Sequence, residues 1–150
     1  AGPMPPYEEL FESGRGFTDP DEAQRFVRES GCDWLSVAIG NIHGAISETK
    51  KHKQKPAARL DIDHLDRIHD AVGAPLVLHG GTGIPHEYIR EAMKHGIAKI
   101  NIATAIRQPY EAMREQGAEA ALQAVYEATR RVIEHDLELT GTADVLDTTN

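Results

Sequence analysis

A single cysteine, Cys32, stands among 150 residues. No disulfide can form within the chain, and one free thiol fits a reducing compartment. Basic residues are in deficit: 16 Lys plus Arg against 24 Asp plus Glu give a formal net charge of -8. That balance argues against nucleic acid and against an anionic membrane surface as partners. No apolar run approaches the roughly 18 residues of a membrane span, and no basic segment followed by an apolar stretch opens the chain. The expectation is a cytoplasmic protein with one domain and enough residues to bury a core.

What the chain does have is alternation. Residues 1–16 are rich in Pro, Gly and Glu and read as an irregular lead-in. Thr18-Asp19-Pro20 opens a helix with Ala23, Phe26 and Val27 inward and Gly31 as its stop. Trp34 to Ile39 is a near-continuous apolar run, as in a parallel strand covered on both faces. It ends in Gly40-Asn41-Ile42-His43-Gly44. A basic run, Lys50 to Lys55, reads as a solvated loop. Asp61 to Val72 is a second helix, carrying Leu65 and Ile68 at helical spacing and ending at Gly73.

Next comes Pro75-Leu76-Val77-Leu78-His79-Gly80-Gly81-Thr82-Gly83-Ile84-Pro85. It predicts a buried strand, a histidine at its end, a glycine-rich loop and a helix to about His95 with Ile89, Ala92 and Met93 inward. Backbone N–H groups in such a loop can face an anion. Ile97 to Thr104 reads as a third strand with Asn101 and Thr104 at its end. From Ala105 to about Leu139 the composition is helical, with Gly117 as a break and Leu122, Val125, Tyr126, Val132 and Ile133 as the inward stripe.

Strands alternating with helices predict an α/β fold, with right-handed crossovers and a parallel sheet. Ligands in such folds gather at the carboxyl ends of the strands. His43, His79, Asn101 and Thr104 all fall there by sequence. Neighbouring strands lie about 4.8 Å apart, so two strand-end imidazoles can share one metal ion. His52, His64, His69, His86, His95 and His135 fall away from strand ends and offer no comparable ligand.

The ordered set Gly40-Asn41-Ile42-His43-Gly44, His79-Gly80-Gly81-Thr82-Gly83 and Lys99-Ile100-Asn101-Ile102-Ala103-Thr104 resembles the second half of the class II, zinc-dependent ketose-bisphosphate aldolases. The resemblance runs from about Phe17 to the last helix, so residues 17–150 are expected to be the C-terminal portion of a (β/α)8 TIM barrel. It implies that His43 and His79 are two of three zinc ligands. It implies that Gly44, Gly80, Gly81, Thr82, Asn101, Ile102, Ala103 and Thr104 bind the dihydroxyacetone phosphate portion of a phosphosugar. Some members of that family also hold a monovalent cation beside these glycines.

Two departures follow. Ala103 stands where many fructose-bisphosphate members carry an acid, and an Asn-x-Ala-Thr version looks more like the tagatose-bisphosphate and related branches, which leaves fructose and tagatose types both open. An eight-stranded barrel takes about 250 residues, whereas three strands are counted here. The third ligand and the proton-transfer acids have no counterparts; Asp33 and Glu48 lie near the motifs without qualifying, and Arg107 reads as structural. The resemblance therefore implies part of an aldolase that works with the other half of its barrel, in cis or in trans, as a homo-oligomer. The alternative is a non-catalytic phosphosugar-binding or stabilising half-barrel, or a fragment without the acid–base groups.

Overall fold

The computed structural model describes residues 6–41 and 58–144. The chain divides into two compact units, Ala1–Asn101 and Ile102–Asn150. No helix among the described residues is long and apolar enough to cross a membrane.

The first unit holds α1 (Tyr7–Ser13), α2 (Pro20–Ser30), β1 (Leu35–Val37), α3 (Ile62–Val72), β2 (Leu76–Leu78), α4 (His86–Lys94) and β3 (Ile97–Ile100). Local chemistry sets the helix limits. The Asp19 carboxylate accepts from Glu22 N at 2.9 Å, and Asp61 accepts from His64 N at 2.8 Å, so each caps free N–H groups of a first turn. Gly31 and Gly73 close α2 and α3 in the left-handed region. Thr18 does not cap. Its N–H and hydroxyl oxygen both pair with Ala38, just past β1.

The three strands are parallel in the order β1-β2-β3. Only β2, flanked on both sides, is buried at every residue. Trp34 is 51% exposed and Ser36 is exposed, so β1 is not covered on both faces as its apolar run suggests. It is a border strand of this sheet. Leu76 and Leu78 share the core with Leu65 and Ile68 of α3 and Ile89 and Ala92 of α4. Phe26, at 56%, and Met93, at 48%, lie outside that core despite their apolar character.

Between β2 and β3 the register slips by one residue. Leu76 pairs with Ile97, but Val77 pairs with Lys99 and Leu78 with Ile100. Ala98 is therefore the extra residue of a bulge, which reverses the face on which every later β3 side chain falls.

Residues 7–13, expected to be irregular, form α1. Its helical signal is weak and its anchoring is long-range. The Tyr7 hydroxyl accepts from Arg59 N at 2.8 Å and lies 3.0 Å from Gly40 O and 3.2 Å from Arg59 O. The Phe11 ring packs edge-on to Phe17, and the Arg59 guanidinium sits 4.6 Å above it.

The second unit holds α5 (Thr104–Met113), a 3₁₀ turn (Arg114–Gln116), α6 (Ala118–Arg131) and a π-helical segment (Val132–Asp136). Gly117 breaks the helices as expected. α5 and α6 pack together, and Ala121 and Val132 are buried. Leu122 and Tyr126, expected inward, are 62% and 60% exposed, and Ile133 is exposed as well. The small Ala121 lets the helices approach closely, while Leu122 is turned about 100° away from it around α6.

Candidate functional site

The carboxyl ends of β1, β2 and β3 meet around His79. Leu78, the last residue of β2, pairs with Ile100 of β3, and Asn101 N donates to Leu78 O at 2.9 Å. The next pair in that register is His79 with Asn101. Without the bulge at Ala98, Ile100 would stand beside His79 instead. The bulge delivers a polar side chain to the imidazole: Asn101 Nδ2 lies 2.8 Å from His79 Nε2. Two residues earlier, on the same face, Lys99 Nζ donates to Asn101 Oδ1.

From the other side, Asn41 ties β1 to β2. Its Oδ1 accepts from Ile39 N at 2.9 Å, and its Nδ2 donates to His79 O at 3.0 Å. Gly40, which precedes it, has φ +106° and packs against Arg59 and Phe11. Helix α1 thus buttresses the turn that carries Asn41.

The loop after His79 turns at once. Gly80 and Gly83 have φ of +71° and +84°, a region that non-glycine residues enter only at a cost. Gly81 N donates to Asn101 O at 3.2 Å, and Ile84 N to Gly81 O at 3.4 Å. Gly81 is buried, and Thr82 is half-buried on the turn. Pro85 is the N-cap of α4 rather than its first residue, and no side chain caps that helix. The first-turn N–H groups of α4 consequently follow directly on the glycine loop.

His79, Gly80, Gly81, Thr82 and Asn101 are therefore gathered at one place, as their spacing suggests. Thr104 is not the end of a strand. β3 stops at Ile100, and Thr104 is the first residue of α5, in the second unit together with Ile102 and Ala103. His43 and Gly44 lie outside the described residues, as does the run Lys50 to Lys55. Among the described residues no group of three His, Cys, Asp or Glu is placed to hold a metal ion. Among the described residues His79 is the imidazole at a strand end, half-buried and facing an amide from the next strand.

Among the described residues, His64 and His95 have structural partners. His64 donates to Thr18 O at 2.7 Å, accepts from Arg67 at 2.9 Å and packs at a tilt of 57° against the Phe17 ring. His95 meets Asp66 at 2.6 Å. Asn41 and Lys99 have contacts at the site that residue spacing did not single out. Asn41 beside a glycine is a turn signal, but the bulge that aligns Lys99 and Asn101 with His79 leaves no trace in the apolar pattern.

The chain is similar to known proteins. Residues 7–145 match the family described as class-II fructose-bisphosphate aldolase. The chain is 41% identical over 133 residues to the Escherichia coli K12 protein YdjI, across 88% of this chain and 45% of that protein. The crystal structure titled as the YdjI aldolase superposes with a TM-score of 0.65 at 33% identity, covering 89% of this chain and 52% of that one. A Coccidioides immitis structure, solved as a candidate fructose-1,6-bisphosphate aldolase, gives 0.70 at 30% identity, over 86% of this chain and 46% of that one. This chain spans about half the length of the relatives it matches.

Proposed function

This chain belongs to the class-II fructose-bisphosphate aldolase family, and from that membership we propose that it forms part of a zinc-dependent lyase. The reaction is reversible aldol cleavage of a ketose 1,6-bisphosphate, of fructose or tagatose type, to dihydroxyacetone phosphate and an aldehyde. The observation that carries this reading is the strand-end pair His79 and Asn101, set directly before a loop that turns at Gly80 and Gly83.

In this reading His79 and His43 hold the metal, with a third ligand from the rest of a TIM barrel. Zinc, when bound, supplies Lewis-acid polarisation of the substrate carbonyl. The chain's own residues bind and orient. The glycine loop Gly80-Gly81, whose Gly81 N–H is already given to Asn101 O, shapes the phosphate site. The Thr82 hydroxyl donates to the phosphate, and Gly44 and the segment Asn101, Ile102, Ala103 and Thr104 complete the reading of a dihydroxyacetone phosphate site. A monovalent cation can share the glycine loop. Fixing the phosphate lets binding energy act at the reacting carbon. The Ala103 methyl accepts no hydrogen bond, so sugar discrimination rests on other groups. The acid–base groups come from the remaining half of the barrel, and assembly is as a homo-oligomer.

The test is zinc content and ketose-bisphosphate cleavage, with the remaining half of the barrel supplied in cis or trans. The assembled enzyme should turn over, and His79→Ala should lose metal-dependent turnover while keeping its fold. Thr82→Val should weaken dihydroxyacetone phosphate binding through the loss of one donor. Zinc and activity retained in His79→Ala would defeat the ligand assignment. The second reading is a phosphosugar-binding or stabilising module built on the same glycine turn. About one zinc per chain without turnover would favour it.

A further inference from the structure

We propose that the sheet face opposite α3 and α4 is covered by the remaining half of the barrel, and that this half sets a carboxylate against Lys99. Leu76 and Leu78 turn toward the core shared with α3 and α4, so Val77, between them, faces the other way. Its register partners are Ser36 on β1 and Lys99 on β3, which makes Ser36, Val77 and Lys99 one row across the sheet. Val77 is buried in the middle of that row, and both of its ends are exposed. The bulge puts the lysine there. In unbroken register Ala98 would stand opposite Val77, and Lys99 would fall beside Leu78 on the core side.

Two observations identify what covers this face. The chain corresponds to 52% and 46% of the two solved structures it superposes on, so further strands complete the sheet, an inference that rests on the aldolase-barrel reading. The second observation is the charge. The Lys99 ammonium donates to the neutral amide oxygen of Asn101, and among the described residues no carboxylate pairs with it. Covering it with apolar strands strips away its water and leaves it uncompensated, which costs far more than covering Ser36 or Val77. A facing acid removes that cost and takes up the ammonium's remaining donors. Lys99 leaves β3 two residues, roughly 6–7 Å, before the level of Asn101. That depth favours a protein carboxylate over the phosphate of a ligand held by the glycine loop.

Urea unfolding of the assembled barrel tests this, with the remaining half in cis, metal removed by chelator and no substrate present. Lys99→Met leaves the facing carboxylate unpaired, so at pH 8 the folding equilibrium constant should fall about a hundredfold. The deficit should shrink at about pH 5, as the orphaned carboxylate takes up a proton. Lys99→Arg should show little of it. In the 150-residue chain alone, where Lys99 is exposed, Lys99→Met should match wild type. The acid itself is the strand Asp or Glu of the other half whose amide variant destabilises wild type but adds nothing to Lys99→Met. A Lys99→Met barrel as stable as wild type at pH 8 overturns the proposal, as does a deficit unchanged at pH 5 or equal in the isolated chain. A deficit that appears only with dihydroxyacetone phosphate present also overturns it, and gives Lys99 to the ligand instead. Failure of the aldolase assay leaves these stabilities untouched, and a null result here leaves zinc-dependent cleavage standing.

Discussion

The Asn41 side chain spans two strands, accepting from Ile39 N at 2.9 Å and donating to the carbonyl of His79 at 3.0 Å. Both partners are backbone groups at strand ends, where the ladder no longer satisfies them. Replacing Asn41 with Leu leaves a donor and an acceptor without that amide in a half-buried place, at a cost of about 1–3 kcal/mol. Urea unfolding should show this loss. Asn41→Asp should recover part of it, since a carboxylate still accepts from Ile39 N but cannot donate to His79 O. Equal stability of wild type and Asn41→Leu would mean that water replaces the bridge at no cost.

Gly40 is a glycine of the first unit whose added Cβ would meet backbone as well as a side chain, in a conformation that favours glycine. A Cβ there would come within 2.5 Å of both Arg59 O and Phe11 Cε2, at φ +106°. Gly40→Ala should therefore lose on the order of 2–4 kcal/mol from strain and overlap together. Gly31→Ala, also in the left-handed region but with open space around it, should lose only about 1–2 kcal/mol. The comparison by chemical denaturation separates the two causes. Equal losses would show that backbone conformation alone decides.

How much of this was legible follows from the range of the interactions. The limits of α2 and α3 could be read because Asp19, Gly31, Asp61 and Gly73 act within one turn of themselves. Helix α1 could not. Tyr7 finds its partner at Arg59, 52 residues away, and nothing near Tyr7 announces it. Trp34 to Ile39 was overread because an apolar run marks where a strand can form, whereas Leu35–Val37 is where a neighbour supplies hydrogen bonds. The run Ile97 to Thr104 places Thr104 at a strand end by sequence, whereas β3 stops at Ile100 and Thr104 starts α5. His79, Asn101 and the glycine turn were legible because strand-end position and residue type coincide. The bulge that joins them was not, because a one-residue slip at Ala98 leaves the apolar alternation ambiguous.

Tyr7 links stability to alkaline pH. Burial pushes its phenol above the ordinary value of 10.0, with the Arg59 backbone bond acting in the opposite direction. A group whose pKa is raised on folding contributes stability below its unfolded value and loses it as pH climbs through the folded one. The wild-type chain should therefore weaken above about pH 10 more steeply than Tyr7→Phe, which has no proton to lose. Thermal unfolding across that range is the measurement. Parallel pH profiles for the two proteins would remove Tyr7 from the account.

The pair Asp66 and His95 joins α3 to the end of α4, with Nδ1 2.6 Å from the carboxylate and Glu91 3.7 Å from the other nitrogen. A short distance is not the same as a large contribution. The His95 and Asp66 side chains keep 33% and 45% of their exposure, so water competes for both, and the coupling should be about 0.2–1 kcal/mol. A double-mutant cycle with Asp66→Ala and His95→Ala isolates that term from the packing that each side chain also provides. The single His95→Ala loss should exceed the coupling, because it also removes the ring's approach to Glu91. Added salt should shrink the coupling and leave the packing part in place. A coupling near zero would leave α3 and α4 held by Leu65, Ile68, Ile89 and Ala92 alone, all of which are buried.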